Sequence, residues 1–243
     1  MVPLRDENPI QITPYVTYGL IAINILVFIV EMIIAATGSP DMLETIFYQW
    51  AVVPKQLTIS FLGDFSLNNL LEWGTLITSQ FLHAGFFHVG GNMLYLWVFG
   101  NNVEEEMGPI RFLTFYLGCG VLASLVQWFF APDSTIPSLG ASGAIAGIMG
   151  AYIFRYPKVR ILTFIPIGFL FLTPRIPAFL FLGIWFLQQA AYGVTSLGVS
   201  TNVGMESGGI AYWAHAGGFV FGALLAPLFG LFDSQKEDES PQI

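Results

Sequence analysis

Charge is what this sequence has least of. Only 10% of its residues are charged, against roughly 25% in soluble domains. A water-soluble fold could not cover its surface with so few charges. Basic residues are the scarcer kind, 8 Lys and Arg against 16 Asp and Glu, for a net charge of −8. No basic stripe can be drawn from them, which excludes nucleic acid as a partner. Cysteine occurs once, as Cys119. An intrachain disulfide is therefore excluded, and the apolar neighbours of Cys119 make it a small packing residue. A short apolar core followed by small residues is missing near the N-terminus, so no cleavable signal peptide is expected. Repeats are missing too, and low complexity is confined to the acidic run from Asp233 to Glu239.

What is present is apolar. Hydrophobic residues make up 55% of the chain, 23 of them Phe, and the mean hydropathy is +0.69. This composition predicts an all-α polytopic membrane protein of one domain. A span needs roughly 20 predominantly apolar residues. Six stretches are candidates: Tyr15–Ala36, Phe86–Val103, Ile110–Phe130, Leu139–Phe154, Ile176–Val194 and Gly208–Phe232. The fourth is short for a span. The division expected is a polar segment 1–14, a membrane domain 15–232 and an acidic tail 233–243. Gly38–Ser79 reads as a loop with interfacial elements, since it holds Trp50 and Trp73 and aromatic rings favour the headgroup level. Ile161–Thr173 contains Pro166 and is too short to span, so it reads as interfacial or re-entrant.

Charge placement orients the spans. With the N-terminus inside, Arg5, Arg111, Arg155, Lys158, Arg160, Arg175 and Lys236 all fall on the cytoplasmic side, leaving Lys55 outside. The positive-inside rule therefore predicts both termini in the cytoplasm. Depth follows by counting. Ser142 precedes Arg155, at the inner end of span four, by roughly 20 Å at about 1.5 Å per residue. In a hydrocarbon core roughly 30 Å thick, that puts Ser142 about 10 Å below the outer face. Asn92 and His215, counted from the outer ends of spans two and six, come out about 9–10 Å deep as well. Span four is too short to reach the outer face, so its N-terminus must open into protein or water.

That layer has a chemistry. Ser142 lies in the first turn of a short helix, where unpaired N–H groups can hold a developing oxyanion. His88 and Asn92 are one turn apart on one face and offer an imidazole and an amide donor. His215 can take the Ser142 proton and return it to a leaving amine. No carboxylate lies at matching depth in spans four to six, so the expected unit is a Ser–His dyad. Gly140 and Gly143 flank the serine. Gly143 with Gly147, and Gly218 with Gly222, are small-xxx-small pairs that would let spans four and six touch. His83 is out of phase with Asn92 and reads as structural in its loop. Glu31 reads as paired or reaching for the interface, Asn24 as a helix–helix bond, and Glu104, Glu105 and Glu106 as a solvated turn.

Three stretches carry a family resemblance: Gly140-Ala141-Ser142-Gly143, Ala214-His215-Ala216-Gly217-Gly218, and His83, His88 and Asn92 in an H-x4-H-x3-N arrangement. The run Gly91 to Glu104 adds to it. Together, and in this order, they resemble the rhomboid intramembrane serine proteases of the bacterial six-span type, from about Tyr15 to Phe232. The resemblance implies a six-helix rhomboid-like bundle with a short central helix. It implies Ser142 as nucleophile, His215 as general base, and His88 and Asn92 as oxyanion partners. It further implies no cofactor, no metal, transmembrane proteins as substrates within the lipid bilayer, and cleavage near the outer face after a small residue. Oligomeric state is left open. Two departures stand out. Many relatives carry a Trp-Arg pair where this chain has Glu72-Trp73-Gly74-Thr75, and some place a Tyr at the position of Ala146, so another residue must orient the His215 ring. Two other functions fit parts of the pattern: a catalytically silent rhomboid-like protein that binds membrane segments and guides their trafficking, and a small transporter using Asn92, His215 and Glu31 as a polar path. The inner halves of spans four and six, Ile148–Phe154 and Phe219–Phe232, hold no ionisable group to continue such a path.

Overall fold

A computed structural model describes residues 1–39, 41–63, 66–197 and 211–233. The long apolar runs are helices. They are α1 (Tyr15–Thr37), α5 (Phe86–Met107), α6 (Pro109–Phe130), α7 (Ser142–Arg155), α8 (Ala178–Ser196) and α9 (Tyr212–Leu225), the last prolonged by a 3₁₀ turn, Ala226–Phe229. Four stretches are long and apolar enough to cross a membrane: Tyr15–Thr37, Pro109–Phe130, Ala178–Ser196 and Tyr212–Phe229. The expected count of six is thus not reached by length and hydropathy. The helix α5 is as long but carries Gly, Asn and three Glu, and α7 has only 14 residues.

The short helix is the centre of the bundle. Every residue of α7 from Gly143 to Tyr152 is buried. It packs against α9, α6 and α5, and α1 lies outside α5. Glycine makes the central contact close. A Cβ on Gly222 would fall on the Gly147 carbonyl oxygen, and one on Gly218 on the Gly143 carbonyl. On the other side of α7, a Cβ on Gly147 would meet the Cys119 side chain of α6 at 2.5 Å. Backbones can approach this way only where side chains are absent, and such contact supplies the packing energy that apolar burial cannot supply in lipid.

Gly38–Ser79 forms three short helices, α2 (Met42–Trp50), α3 (Pro54–Leu62) and α4 (Leu67–Thr78), followed by a 3₁₀ turn, Ser79–Phe81. Aromatic edges hold this layer to α6: Trp73 meets Phe61 and Trp128 at centroid distances of 6.4 and 5.8 Å. The Trp128 indole also donates to Thr58 Oγ1 at 2.8 Å. Trp73 is thus anchored by rings, with no arginine beside it in sequence.

Two expectations are corrected. Ile161–Thr173 is a hairpin, so the fold is not all-α. The strand β2 (Arg160–Ile167) pairs antiparallel with β1 (Val2–Asp6), with β3 (Leu170–Leu172) and with β4 (Arg175–Pro177). Gly168, at φ +58°, opens the two-residue turn between Ile167 and Leu170, the conformation such hairpins need. Pro166 faces Phe171 in the short β2–β3 ladder, and the partner of the first half of β2 is distant in sequence. The second correction is Glu104. It is 1% exposed, and its carboxylate accepts from Val16 N, Thr17 N and Thr17 Oγ1 at 2.7–2.9 Å. It therefore caps the N-terminus of α1, where four N–H groups lack partners. Glu106 is also engaged, pairing with Arg155 at 3.1 Å. Asn24 donates back to Leu20 O in its own helix at 2.8 Å, and its side chain also interacts with the Tyr116 hydroxyl of α6, the helix–helix interaction expected of it.

Candidate active site

Ser142 opens α7 two residues after Gly140, whose φ of +119° makes the turn into the helix. The approach is pinned on both sides. Ser138 exchanges backbone bonds with Val52 at 2.7 and 3.0 Å, and Gly140 N–H donates to Ser79 O at 2.8 Å. The missing Cβ of Gly140 also makes room for two side chains of α5. A Cβ there would lie 2.6 Å from His88 Nε2 and 3.5 Å from Asn92 Nδ2. Gly140, two residues before the serine, is thus less a helix-packing residue than the place against which the His88 and Asn92 side chains lie.

His215 lies in the first turn of α9. Its Nε2 is 2.7 Å from Ser142 Oγ. Its Nδ1 is 2.9 Å from Gln189 Oε1 on α8. The Trp185 ring, one turn before Gln189, lies 5.9 Å from the imidazole at an interplanar angle of 33°. The close α7–α9 contact at Gly143, Gly147, Gly218 and Gly222 is what lets Oγ and Nε2 meet. Ser142, His215, His88 and Asn92 share the wall of one cavity of about 790 Å³, with Phe87, Tyr95, Trp185 and the α2 residues Phe47 and Tyr48. A second, polar cavity of about 20 Å³ lies behind the serine, between Ser79, Gln80 and Ser124. It has room for about one water.

His83 is not confined to a structural place in the loop. Its Nε2 accepts from Asn92 Nδ2 at 2.9 Å. Glu31 of α1 accepts from the His83 backbone N–H at 3.2 Å. Burial, then the neighbouring His88, lowers the His83 pKa and keeps the ring neutral. One amide hydrogen of Asn92 is therefore fixed by His83, which leaves the other to face the cavity. Neither this relay nor Gln189 was picked out from the sequence. The signal for Gln189 was an amide pair, Gln188-Gln189, in an otherwise apolar span. The signal for His83 was its place at the head of the His-His-Asn pattern.

With Nδ1–H donating to Gln189, the lone pair of Nε2 is left for the Ser142 hydroxyl. The arrangement can move a proton between Oγ and Nε2 and can hold negative charge beside Gly140. Among the described residues Glu44 is the one carboxylate in the wall of the large cavity, and the partner of His215 Nδ1 is Gln189. Among the described residues no group of three His, Cys, Asp or Glu could hold a metal ion.

Comparisons with known proteins give the family of the chain. The family pattern described as Rhomboid domain matches residues 70–232. The chain is 30% identical over 172 residues to Rhomboid protein 1, mitochondrial, of Saccharomyces cerevisiae, covering 69% of this chain and 44% of that protein. It is 36% identical over 141 residues to Rhomboid protease GluP of Bacillus subtilis, covering 58% of this chain and 24% of that protein. With Rhomboid-like protein 11, chloroplastic, of Arabidopsis thaliana it shares 29% over 175 residues, 71% of this chain and 58% of that protein. The chain thus spans less than two thirds of each of these relatives. With a pattern match running from α4 through α9, and with four apolar stretches able to cross a bilayer, the chain is an integral membrane protein of the rhomboid family.

Proposed function

We propose that this protein is an intramembrane serine endopeptidase that cleaves transmembrane segments of other membrane proteins. The observation that carries this is the 2.7 Å contact between Ser142 Oγ and His215 Nε2 on the wall of a cavity large enough for an extended peptide. His215 takes the proton as Oγ attacks the scissile carbonyl. The oxyanion is held by the Ser142 N–H, the free amide hydrogen of Asn92 and His88. His215 then protonates the leaving amine. Water, for which the small cavity behind Ser142 has room, hydrolyses the acyl-enzyme. No cofactor is needed.

In this proposal α1, α5, α6, α7, α8 and α9 are the six membrane segments, both termini are cytoplasmic, and the site lies near the outer face of a bacterial plasma membrane. Substrate enters sideways between α5 and α8. The rings of Phe181 on α8 and Phe99 and Tyr95 on α5 meet at 6.3 and 6.5 Å, and Tyr95 and Phe87 of α5 and Trp185 of α8 line the cavity. The connection before α9, with Gly198, Gly204, Glu206, Gly208 and Gly209, and the acidic tail from residue 234 lie outside the described residues.

The test is cleavage of a single-span substrate in proteoliposomes by the wild type and by Ser142→Ala, with fluorophosphonate labelling of the same samples. Cleavage and labelling by the wild type alone are expected. Equal cleavage by both would reject the mechanism, and a wild type that neither cleaves nor labels would favour the silent membrane-segment binder. Asn92→Ala is expected to lower kcat by about 10²–10³-fold, the usual effect of removing one oxyanion donor, with a smaller change in KM. An unchanged kcat would remove Asn92 from the oxyanion site.

A further inference from the structure

We infer that Gln189 is the positioning residue of the general base, an uncharged third member that fixes the tautomer and rotation of the His215 ring. The inference rests on the dyad proposed above. A histidine works as base on a serine only when Nδ1 carries the proton and Nε2 is free, so something must accept from Nδ1. Hydrolases with a triad use a carboxylate there. Here the acceptor at 2.9 Å is the amide oxygen of Gln189.

The amide is held in place by its helix. Trp185 and Gln189 are one turn apart and share a face of α8. Trp185 flanks the imidazole, and its ring also meets Phe219 of α9 at 6.1 Å. One position further, Phe186 stacks on Phe219 at 4.9 Å. On the other side of Gln189, Gly193 lets the Trp213 indole approach so closely that a Cβ would lie 3.1 Å from it. Gln189 thus sits between two fixed contacts of α8 with the helix that carries His215.

A neutral amide orients the ring as a carboxylate would, but contributes only a dipole toward the imidazolium that forms. The other groups facing His215 do not replace it. Among the described residues these are His88 and Tyr95 of α5, Glu44 and Tyr48 of α2, and Ser142 of α7, all of which line the cavity. Gln127 of α6 is engaged with Ala214 N–H at 3.3 Å.

Gln189→Met keeps length and apolar volume and removes the acceptor. Gln189→Glu keeps an acceptor and adds charge. With a single-span substrate in proteoliposomes, Gln189→Met is expected to lower kcat about 10- to 100-fold with KM little changed, a part of the 10²–10⁴ that a general base supplies. Gln189→Glu is expected to restore kcat at high pH to within a few-fold of the wild type. A carboxylate beside Nδ1 favours the imidazolium, so the base is freed only at higher pH. The acid limb of the kcat/KM profile therefore moves up by about one unit or more. Unchanged kcat in Gln189→Met overturns the inference. So does equal loss in both variants with a lowered melting temperature and an unmoved acid limb, the mark of a merely structural residue. Should Gln189→Met fail to fold, the limb in Gln189→Glu decides alone. Fluorophosphonate labelling of the wild type but not of Ser142→Ala keeps the two levels apart: its absence sinks the dyad itself, whereas normal labelling with an indifferent Gln189 sinks only the positioning role.

Discussion

His215→Ala is expected to lose about 10⁴-fold or more in kcat, as much as Ser142→Ala, and the double variant is expected to lose no more than either alone. A serine hydroxyl is a weak nucleophile at its own pKa and gains its reactivity from an adjacent base. In this site the proposed base, His215, has its Nε2 2.7 Å from Oγ. Removing it leaves Oγ protonated through the attack and leaves no group to protonate the departing amine. What remains is the stabilisation of the oxyanion and the binding of substrate, which give a small residual rate in enzymes of this type. The fold should survive. His215 is partly exposed to the cavity, and the backbone contacts that hold α9 to α7 involve Gly218 and Gly222, not the ring. Kinetics of both single variants and the double variant, each with a melting curve, make the measurement. Losses that multiply in the double variant would mean that the two residues act in separate steps, contrary to a dyad.

How much of this was legible in the sequence differs by residue, for physical reasons. Counting along helices needs only a fixed rise per residue and one charged marker, so it could place Asn92, Ser142 and His215 in one layer. In the structure Ser142 and His215 touch, and Asn92 lies against Gly140. Counting cannot give rotation about the helix axis. That is why Glu104, Glu105 and Glu106 read alike. Only the phase of α5 against α1 turns the first of them inward to cap Thr17 and leaves Glu106 to meet Arg155. The same limit hid Gln189, because a Gln-Gln pair on a helix says that one amide can face inward but not toward which neighbour. The hairpin was hidden for another reason. Residues 160–167 are a nearly continuous apolar run, in which helix and strand periods look the same. Their partner, Val2–Asp6, is non-local, and such pairing leaves no local pattern to read.

The glycine contact between α7 and α9 carries the second large expectation. Gly222→Leu should lower the melting temperature and reduce cleavage by about 100-fold or more, although residue 222 touches neither the nucleophile nor the base. A Cβ on Gly222 would fall on the Gly147 carbonyl oxygen, and its next neighbours are Gly147 Cα and C. Side chains can yield to an intruding methyl, at a cost of about 1–3 kcal/mol in a packed core. Backbone cannot yield without moving its helix. The change must therefore push α9 away from α7, and that displacement carries His215, two turns earlier, off Ser142. A shift on the order of 1 Å at the reacting atoms is enough for about 100-fold. Gly118→Leu is the matched control. It places the same side chain on α6, where nothing lies within 4 Å of the Cβ, and should leave both readouts near wild type. If Gly222→Leu kept full activity, the approach of the two helices would not be what sets the distance between Ser142 and His215. If Gly118→Leu failed equally, the loss would belong to added bulk in the membrane and not to the α7–α9 seam.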